Sequence, residues 1–362
     1  MTALKDKIKA RIAVDGPISV AQYMSICLSD PEYGYYTTRD PFGEKGDFIT
    51  APEVSQMFGE LIGAVCMGGY AAISNPEHFE LVELGPGRGT LMADFLRMAA
   101  LNDDFINAAH LNFVEMSPRL RDIQTRTLSK APLQPGFLEH FQDVPDKPII
   151  LIANEFFDAL PIHQFVKTQD GWLERQVGLS DTGDLTFGLG SARLPDTSVP
   201  ADAKSSPDGT ILETQPAANA IAETIGAHLA KHGGIALLID YGYSKSAPGD
   251  TLQALYRHTF DDPLSNPGNA DLTAHVNFEA LAAAATKSGA IALPLLEQGE
   301  FLLRSGLLER AGRLGSGKSR QQQETIHEAV ERLAGPDQMG QLFKVLAITG
   351  GDVVLPPFDI QG

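Results

Sequence analysis

The sequence predicts an α/β protein, a doubly wound and mostly parallel sheet with a helical N-terminal section and a β-hairpin and loop insertion. Three observations predict it. Apolar runs of strand length alternate with amphipathic helical segments from residue 79 to 153, the pattern of a parallel sheet covered by helices. A glycine turn, Glu83-Leu-Gly-Pro-Gly-Arg-Gly89, joins the first of those runs to the first of those helices. Two β-rich stretches around a five-residue polar turn interrupt the alternation after residue 170.

In chain order, Lys5 to Val14 reads as a helix. Ser19 is placed to cap a second, Val20 to Cys27. Gly34-Tyr-Tyr36 and Asp40-Pro-Phe-Gly43 punctuate a loop, and residues 46–53 lead into a helix over 54–70. The core follows as strand 79–84, helix 89–99, strand 111–116, helix 118–130, a weak strand near 137–141 and a strong one at 148–153. Residues 172–179 and 185–189 read as the hairpin, and 191–209, rich in Pro, Ser, Asp and Ala, as a surface loop. A helix over 216–231 leads to a fifth core strand, Gly234-Ile-Ala-Leu-Leu-Ile-Asp240. Helices near 278–288, 300–313 and 321–334 precede a strand at 342–347. The expected divisions are a helical section and lid over 1–75, a core over 76–294 with an insertion at about 165–230, and C-terminal helices with a closing strand over 295–362.

Composition narrows the function. Lys and Arg number 28 against 46 Asp and Glu, a net charge of −18, and nucleic-acid binding needs a basic surface. The acidity suits solubility and a cationic partner. Cys27 and Cys66 have no CxxC spacing and sit among apolar residues, so neither a zinc site nor a disulfide is expected. No apolar run is long enough for a membrane span. The start, Met-Thr-Ala-Leu-Lys-Asp-Lys-Ile-Lys, has no signal-peptide core, and a cytoplasmic protein is the expectation.

The glycine turn is the first candidate site. Glycines at 85, 87 and 89 let a ligand approach the backbone, and the helix start behind them offers free N–H groups. A dinucleotide fingerprint places its third glycine one residue later, with an acid about 20 residues on. Here position 90 is Thr, and the acid ending the next strand, Glu115, comes 26 residues after Gly89. No Lys follows the glycines, which excludes a P-loop. E-x-G-x-G-x-G followed by a second strand-end acid resembles motif I of the class I S-adenosylmethionine methyltransferases.

The second candidate is Asn154-Glu-Phe-Phe-Asp-Ala-Leu-Pro161, at the carboxyl end of the strand over 148–153, where ligands of doubly wound folds bind. If the segment turns helically, Glu155 and Asp158 share a face and can clamp a guanidinium. The alternative is that Asn154 caps a helix and the acids complement its dipole. Asp240-Tyr241 after the fifth strand, His258, and Asp271 with His275 are further candidates, since they lie in segments that follow sheet strands. The histidine spacing there does not suggest a metal, and no G-x-S-x-G elbow is present.

Six motifs then match one family in order: Gly46 to Glu60, Glu83 to Gly89, Asn154 to Pro161, Asp240-Tyr-Gly242, Asp271-Leu-Thr-Ala-His-Val276 and Met339-Gly-Gln-Leu-Phe-Lys344. From about residue 16 to 358 the chain resembles the MidA-like family, related to the mitochondrial complex I assembly methyltransferase, and looks like its bacterial form. The resemblance implies a class I, Rossmann-like methyltransferase fold and methyl transfer from S-adenosylmethionine to an arginine of a protein partner, with a complex I core subunit as one such partner. It implies that Glu83, Gly85, Gly87 and Gly89 hold the methionine end of the cofactor. Glu115 would hold the ribose, Met116 the adenine and Asp143 its amino group, with Asn154 beside them. Phe48, Thr50 and Glu53 would close the site. Glu155 and Asp158 would face the guanidinium, His275 or His258 would accept the proton, and Asp240, Tyr241, His258 and Asp271 would line the substrate side. A small-molecule methyltransferase and a non-catalytic assembly factor that binds the cofactor are the competing readings.

Overall fold

Five strands run parallel in the order Gly136–Leu138, Ala109–Val114, Phe79–Leu84, Ile149–Asn154, Gly234–Tyr243. Phe343–Thr349 pairs antiparallel with Gly234–Tyr243, and the two short strands Ile291–Ala292 and Leu296–Glu297 close that edge. The computed structural model describes residues 2–38 and 50–358. By its contacts the chain divides into two units. One comprises 49–157, 219–244 and 278–362, and the other 1–48, 158–218 and 245–277.

The larger unit is the doubly wound, mostly parallel α/β sheet that the alternation predicts. Phe79–Leu84 and Ile149–Asn154 are buried along nearly their whole length, which is why they read as unbroken apolar runs rather than alternating ones. Their side chains meet Phe58, Ile62, Phe95 and Leu96 of the helices Gln56–Ala72 and Thr90–Ala99 in one core. Close helix packing needs glycine here: a Cβ on Gly59 would stand 2.8 Å from the Leu91 carbonyl oxygen. After Phe79–Leu84 the chain winds outward through 109–114 and 136–138. It then crosses to 149–154 on the other side. The topological switch therefore lies between Phe79–Leu84 and Ile149–Asn154, and the crevice at their carboxyl ends is where such folds bind ligands.

The smaller unit holds the helices Ala3–Asp15 and Val20–Ser29. Ser19 caps the second through a reciprocal bond pair with Gln22. One antiparallel sheet runs Ile18–Ser19, Gly171–Leu179, His163–Thr168, Ile211–Thr214, with Leu185–Arg193 also paired to Gly171–Leu179. A second joins Thr259–Asp261, Gln253–Tyr256 and Asp271–Thr273.

Several expectations are corrected. The helix expected over 54–70 is two, Ala51–Val54 and Gln56–Ala72, because Ser55 is extended and caps the second through Met57 N. The helix expected over 300–313 is also two, parted at Gly306, whose φ of 94° no ordinary helix residue adopts. Residues 155–160 form bends and turns, so the helical premise for Glu155 and Asp158 is not met, and no helix begins there for Asn154 to cap. The hairpin is present as expected, Gly171–Leu179 paired with Leu185–Arg193, and its first strand also pairs with Ile18–Ser19 and His163–Thr168.

Candidate cofactor site

The glycine turn sits where the fold needs it. Gly85, Gly87 and Gly89 have φ of 59°, 53° and 79°, the left-handed region that costs glycine nothing. Gly85 N donates to the Val114 carbonyl at 3.1 Å, tying the turn to the neighbouring strand. Gly89 then starts the helix Thr90–Ala99 with no side-chain cap, so its first N–H groups are left for a ligand.

Glu83 ends the strand only 3 % exposed. Its Oε2 is buried and has no hydrogen-bond partner among the described residues. Burial pushes its carboxyl up to about 8. A buried, unsatisfied acceptor beside a glycine cradle fits a ligand that brings a cation or a donor, as the ammonium of S-adenosylmethionine does.

Glu115 follows the next strand. Its Oε1 accepts from Ser117 N at 2.7 Å and its Oε2 from Gln124 Nε2 at 3.2 Å. Burial raises its pKa, and those donors oppose the rise. The same Gln124 nitrogen donates to the Gly87 carbonyl at 2.8 Å, so one buried amide braces both the turn and the acid. Sequence reasoning missed Gln124. Its signal was a polar residue four after Leu120, on the buried stripe of Pro118–Thr127. Met116 is 69 % exposed, as suits a residue that meets a ligand rather than the core. Asp143 is exposed on a short turn and accepts from His140 N at 3.1 Å.

Thr50 precedes the helix Ala51–Val54, and Glu53 on that helix accepts from Thr90 Oγ1 at 2.8 Å. This bond brings the short helix to the start of the glycine-turn helix. Phe48 lies outside the described residues. Asn154 ends, and Glu155 follows, the strand next to that of Glu83. Glu155 has φ of 50°, an uncommon conformation for a side chain of its size. Its N donates to the Ile239 carbonyl at 2.9 Å, and its Oε1 accepts from Ala51 N and Asn154 Nδ2, each at 3.2 Å. Fully buried Asp240 accepts from Phe157 N at 3.0 Å and Tyr241 N at 2.9 Å. Those bonds explain the turn after Asn154: Phe157 N goes to a carboxylate rather than into a helical ladder. Tyr241 is buried with its ring edge-on to Phe343.

The remaining candidates belong to the smaller unit. Asp158 is buried, and its carbonyl accepts from Ala274 N at 3.0 Å. Asp271 is buried and accepts from the Tyr36 hydroxyl at 3.1 and 3.3 Å. His275 is half-buried, its N donating to Thr251 Oγ1 at 2.9 Å. Arg257 and His258 both have positive φ, 53° and 63°, between two antiparallel strands. They are the two-residue turn of a hairpin, and His258 stands exposed at its tip.

Comparison with known proteins agrees with this geometry. Residues 61–295 match the family described as "Putative S-adenosyl-L-methionine-dependent methyltransferase". The chain is 37 % identical to the mitochondrial protein arginine methyltransferase NDUFAF7 homolog of Caenorhabditis elegans, covering 95 % of this chain and 86 % of that protein. It is 35 % identical to the mitochondrial protein arginine methyltransferase NDUFAF7 of Homo sapiens, covering 100 % of this chain and 85 % of that protein. A crystal structure of a COG1565 superfamily member from Burkholderia thailandensis, bound to S-adenosyl-homocysteine, superposes with a TM-score of 0.86 at 30 % identity, over 98 % of this chain and 93 % of that one. The cofactor is therefore S-adenosylmethionine, and the chain belongs to this S-adenosyl-L-methionine-dependent methyltransferase family, as a homologue of the NDUFAF7 proteins.

Proposed function

We propose that the chain methylates an arginine of a protein partner, and that a complex I (NADH–quinone oxidoreductase) subunit is that partner. The observation that carries the reading is the similarity, along nearly the whole chain, to proteins whose names state protein arginine methylation. A net charge of −18 is consistent with a cationic target. Among the described residues no helix is long and apolar enough to cross a membrane.

The cofactor supplies an activated methyl carbon bound to a positively charged sulfur. A guanidinium nitrogen attacks that carbon in line, the C–S bond breaks, the N–C bond forms, and one N–H proton leaves. Arginine stays protonated at neutral pH, so its attacking nitrogen must be drawn out of conjugation. A carboxylate does this by holding the positive charge on the other nitrogens. Glu155 is the first residue we assign to this role, since it is held in a rare backbone conformation at the strand end next to Glu83. Asp158 is the second, with His275, and after it His258, as proton acceptors. Glu83 and Glu115 orient the cofactor, so that much of the acceleration comes from alignment. Asp240, Tyr241 and Asp271 complete the substrate side of the proposal.

Mass spectrometry of respiratory complex I subunits from cells with and without this chain tests the reading. A methylarginine present only with the chain is the expected result. Identical methylation in both would remove the partner assignment.

A further inference from the structure

Two histidines outside the cofactor site stand one helical turn apart. His228 and His232 lie on the helix Pro216–His232, with ring centroids 4.8 Å apart. Asp146, in the loop before the strand Ile149–Asn154, reaches both: the potential ligand atoms of the three residues all lie within 4.8 Å of one another. All three belong to the larger unit. We propose that Asp146, His228 and His232 bind a zinc-like divalent transition-metal ion.

The chemistry of the donors supports this. Two imidazoles and a carboxylate, with the remaining position open to water, are a common zinc donor set. Ring nitrogens at i and i+4 project from one helix face. His228 Nε2 meets the Lys147 carbonyl at 2.9 Å. A carbonyl can only accept, so Nε2 carries the proton and Nδ1 keeps the lone pair. Metal-bound histidines characteristically donate their second N–H to such a carbonyl, which fixes the tautomer and the ring. The Phe141 ring, edge-on at 5.7 Å, packs beside the same imidazole.

His232 Nε2 already faces Asp146 Oδ1 at 3.2 Å, close to the roughly 3.3 Å that separates two ligand atoms on a tetrahedral zinc. Lys231 Nζ, at 3.4 Å from Asp146 Oδ2, competes for the carboxylate, but both side chains are largely exposed and such a pair is weak in water. Asp146 is free to rotate toward the histidines for the same reason. The ion would clasp two segments that lead into neighbouring strands, since Gly234 and Ile149 are register partners. The site lies at the amino ends of these strands, whereas Glu83, Glu115 and Asn154 lie at the carboxyl ends, so the metal is structural and takes no part in methyl transfer.

The test uses the full chain, stripped with a chelator and titrated with cobalt(II) at neutral pH. The expected result is one saturable equivalent, with the visible absorption of low-coordinate cobalt and a rise in melting temperature with zinc. His232→Ala and Asp146→Asn should each bind at least about tenfold more weakly and lose the thermal shift, while S-adenosyl-homocysteine affinity stays unchanged. Circular dichroism confirms that the variants are folded. Absence of a saturable site in the unaltered chain would overturn the proposal whatever the variants do. So would undiminished binding in either folded variant.

Discussion

Gln124 and Glu115 are joined by a bond of 3.2 Å from the Gln124 side-chain amide, whose nitrogen also holds the Gly87 carbonyl at 2.8 Å. One side chain thereby sets the spacing between the glycine turn and the acid at the end of the next strand. Gln124→Leu keeps the volume and removes both bonds. It should weaken S-adenosyl-homocysteine binding by about tenfold, since one lost bond to a charged group corresponds to about 1.5 kcal/mol or more. Calorimetry on the folded variant reads this directly, and unchanged affinity would leave Gln124 a packing residue.

Glu83 should make the stability of the cofactor-free protein depend on pH. Its folded-state value of about 8 lies above the ordinary 4.5. The neutral form therefore favours folding, with the contribution fully present below about pH 4.5 and lost as the pH rises through about 8. Thermal melts across that window should fall less steeply for Glu83→Gln. Binding of S-adenosylmethionine below pH 8 should release a proton, because a cationic ligand favours the carboxylate. Calorimetry in buffers of different ionisation enthalpy would detect it. Parallel melting curves and no proton release would contradict the role.

The glycines should differ in a graded way. A Cβ on Gly89 would meet Gln124 at an ordinary 3.6 Å, so Gly89→Ala carries only the left-handed penalty of about 1–2 kcal/mol. On Gly85 it would also press on Phe156 Cδ2 at 2.9 Å, and Gly85→Ala should be the more destabilising. Gly87→Val should abolish cofactor binding by filling the backbone approach. Melting temperatures and calorimetry check the order.

The central strands are legible in the sequence because they are buried on both faces. Phe79–Leu84 matches its apolar run residue for residue, and Ile149–Asn154 differs by one at each end. Ser19 announces its helix because capping is local chemistry. His163–Thr168 and Ile211–Thr214 went unread, being short and only partly buried. The turn after Asn154 does not meet the helical condition, and the sequence does not show why, because Asp240, which holds Phe157 N, is remote in sequence. The same is true of Gln124: its partners Gly87 and Glu115 lie outside its own helix.

Residues 50–58 should be protected when the cofactor binds. Glu53 is bonded to Thr90 at the glycine-turn helix, and Ala51 N to Glu155. Hydrogen exchange should slow across this segment together with 83–90. Protection at 83–90 alone would make the short helix purely structural.

Glu155→Gln and Asp158→Asn should each preserve the fold and S-adenosyl-homocysteine affinity while lowering methyl transfer at least about tenfold. The amide keeps the shape but loses the charge and an acceptor, and about 1.4 kcal/mol is a factor of ten. Near-normal turnover of either purified variant would take that residue out of the mechanism.

The most direct measurement is the transfer of radioactive methyl groups from S-adenosylmethionine into the proteins of a lysate that lacks this chain, followed by hydrolysis and amino-acid analysis. Label in methylarginine, appearing with the purified chain and absent with Gly87→Val, is the predicted result. Label confined to small molecules or to other amino acids, or no label from a chain that binds the cofactor, would contradict it.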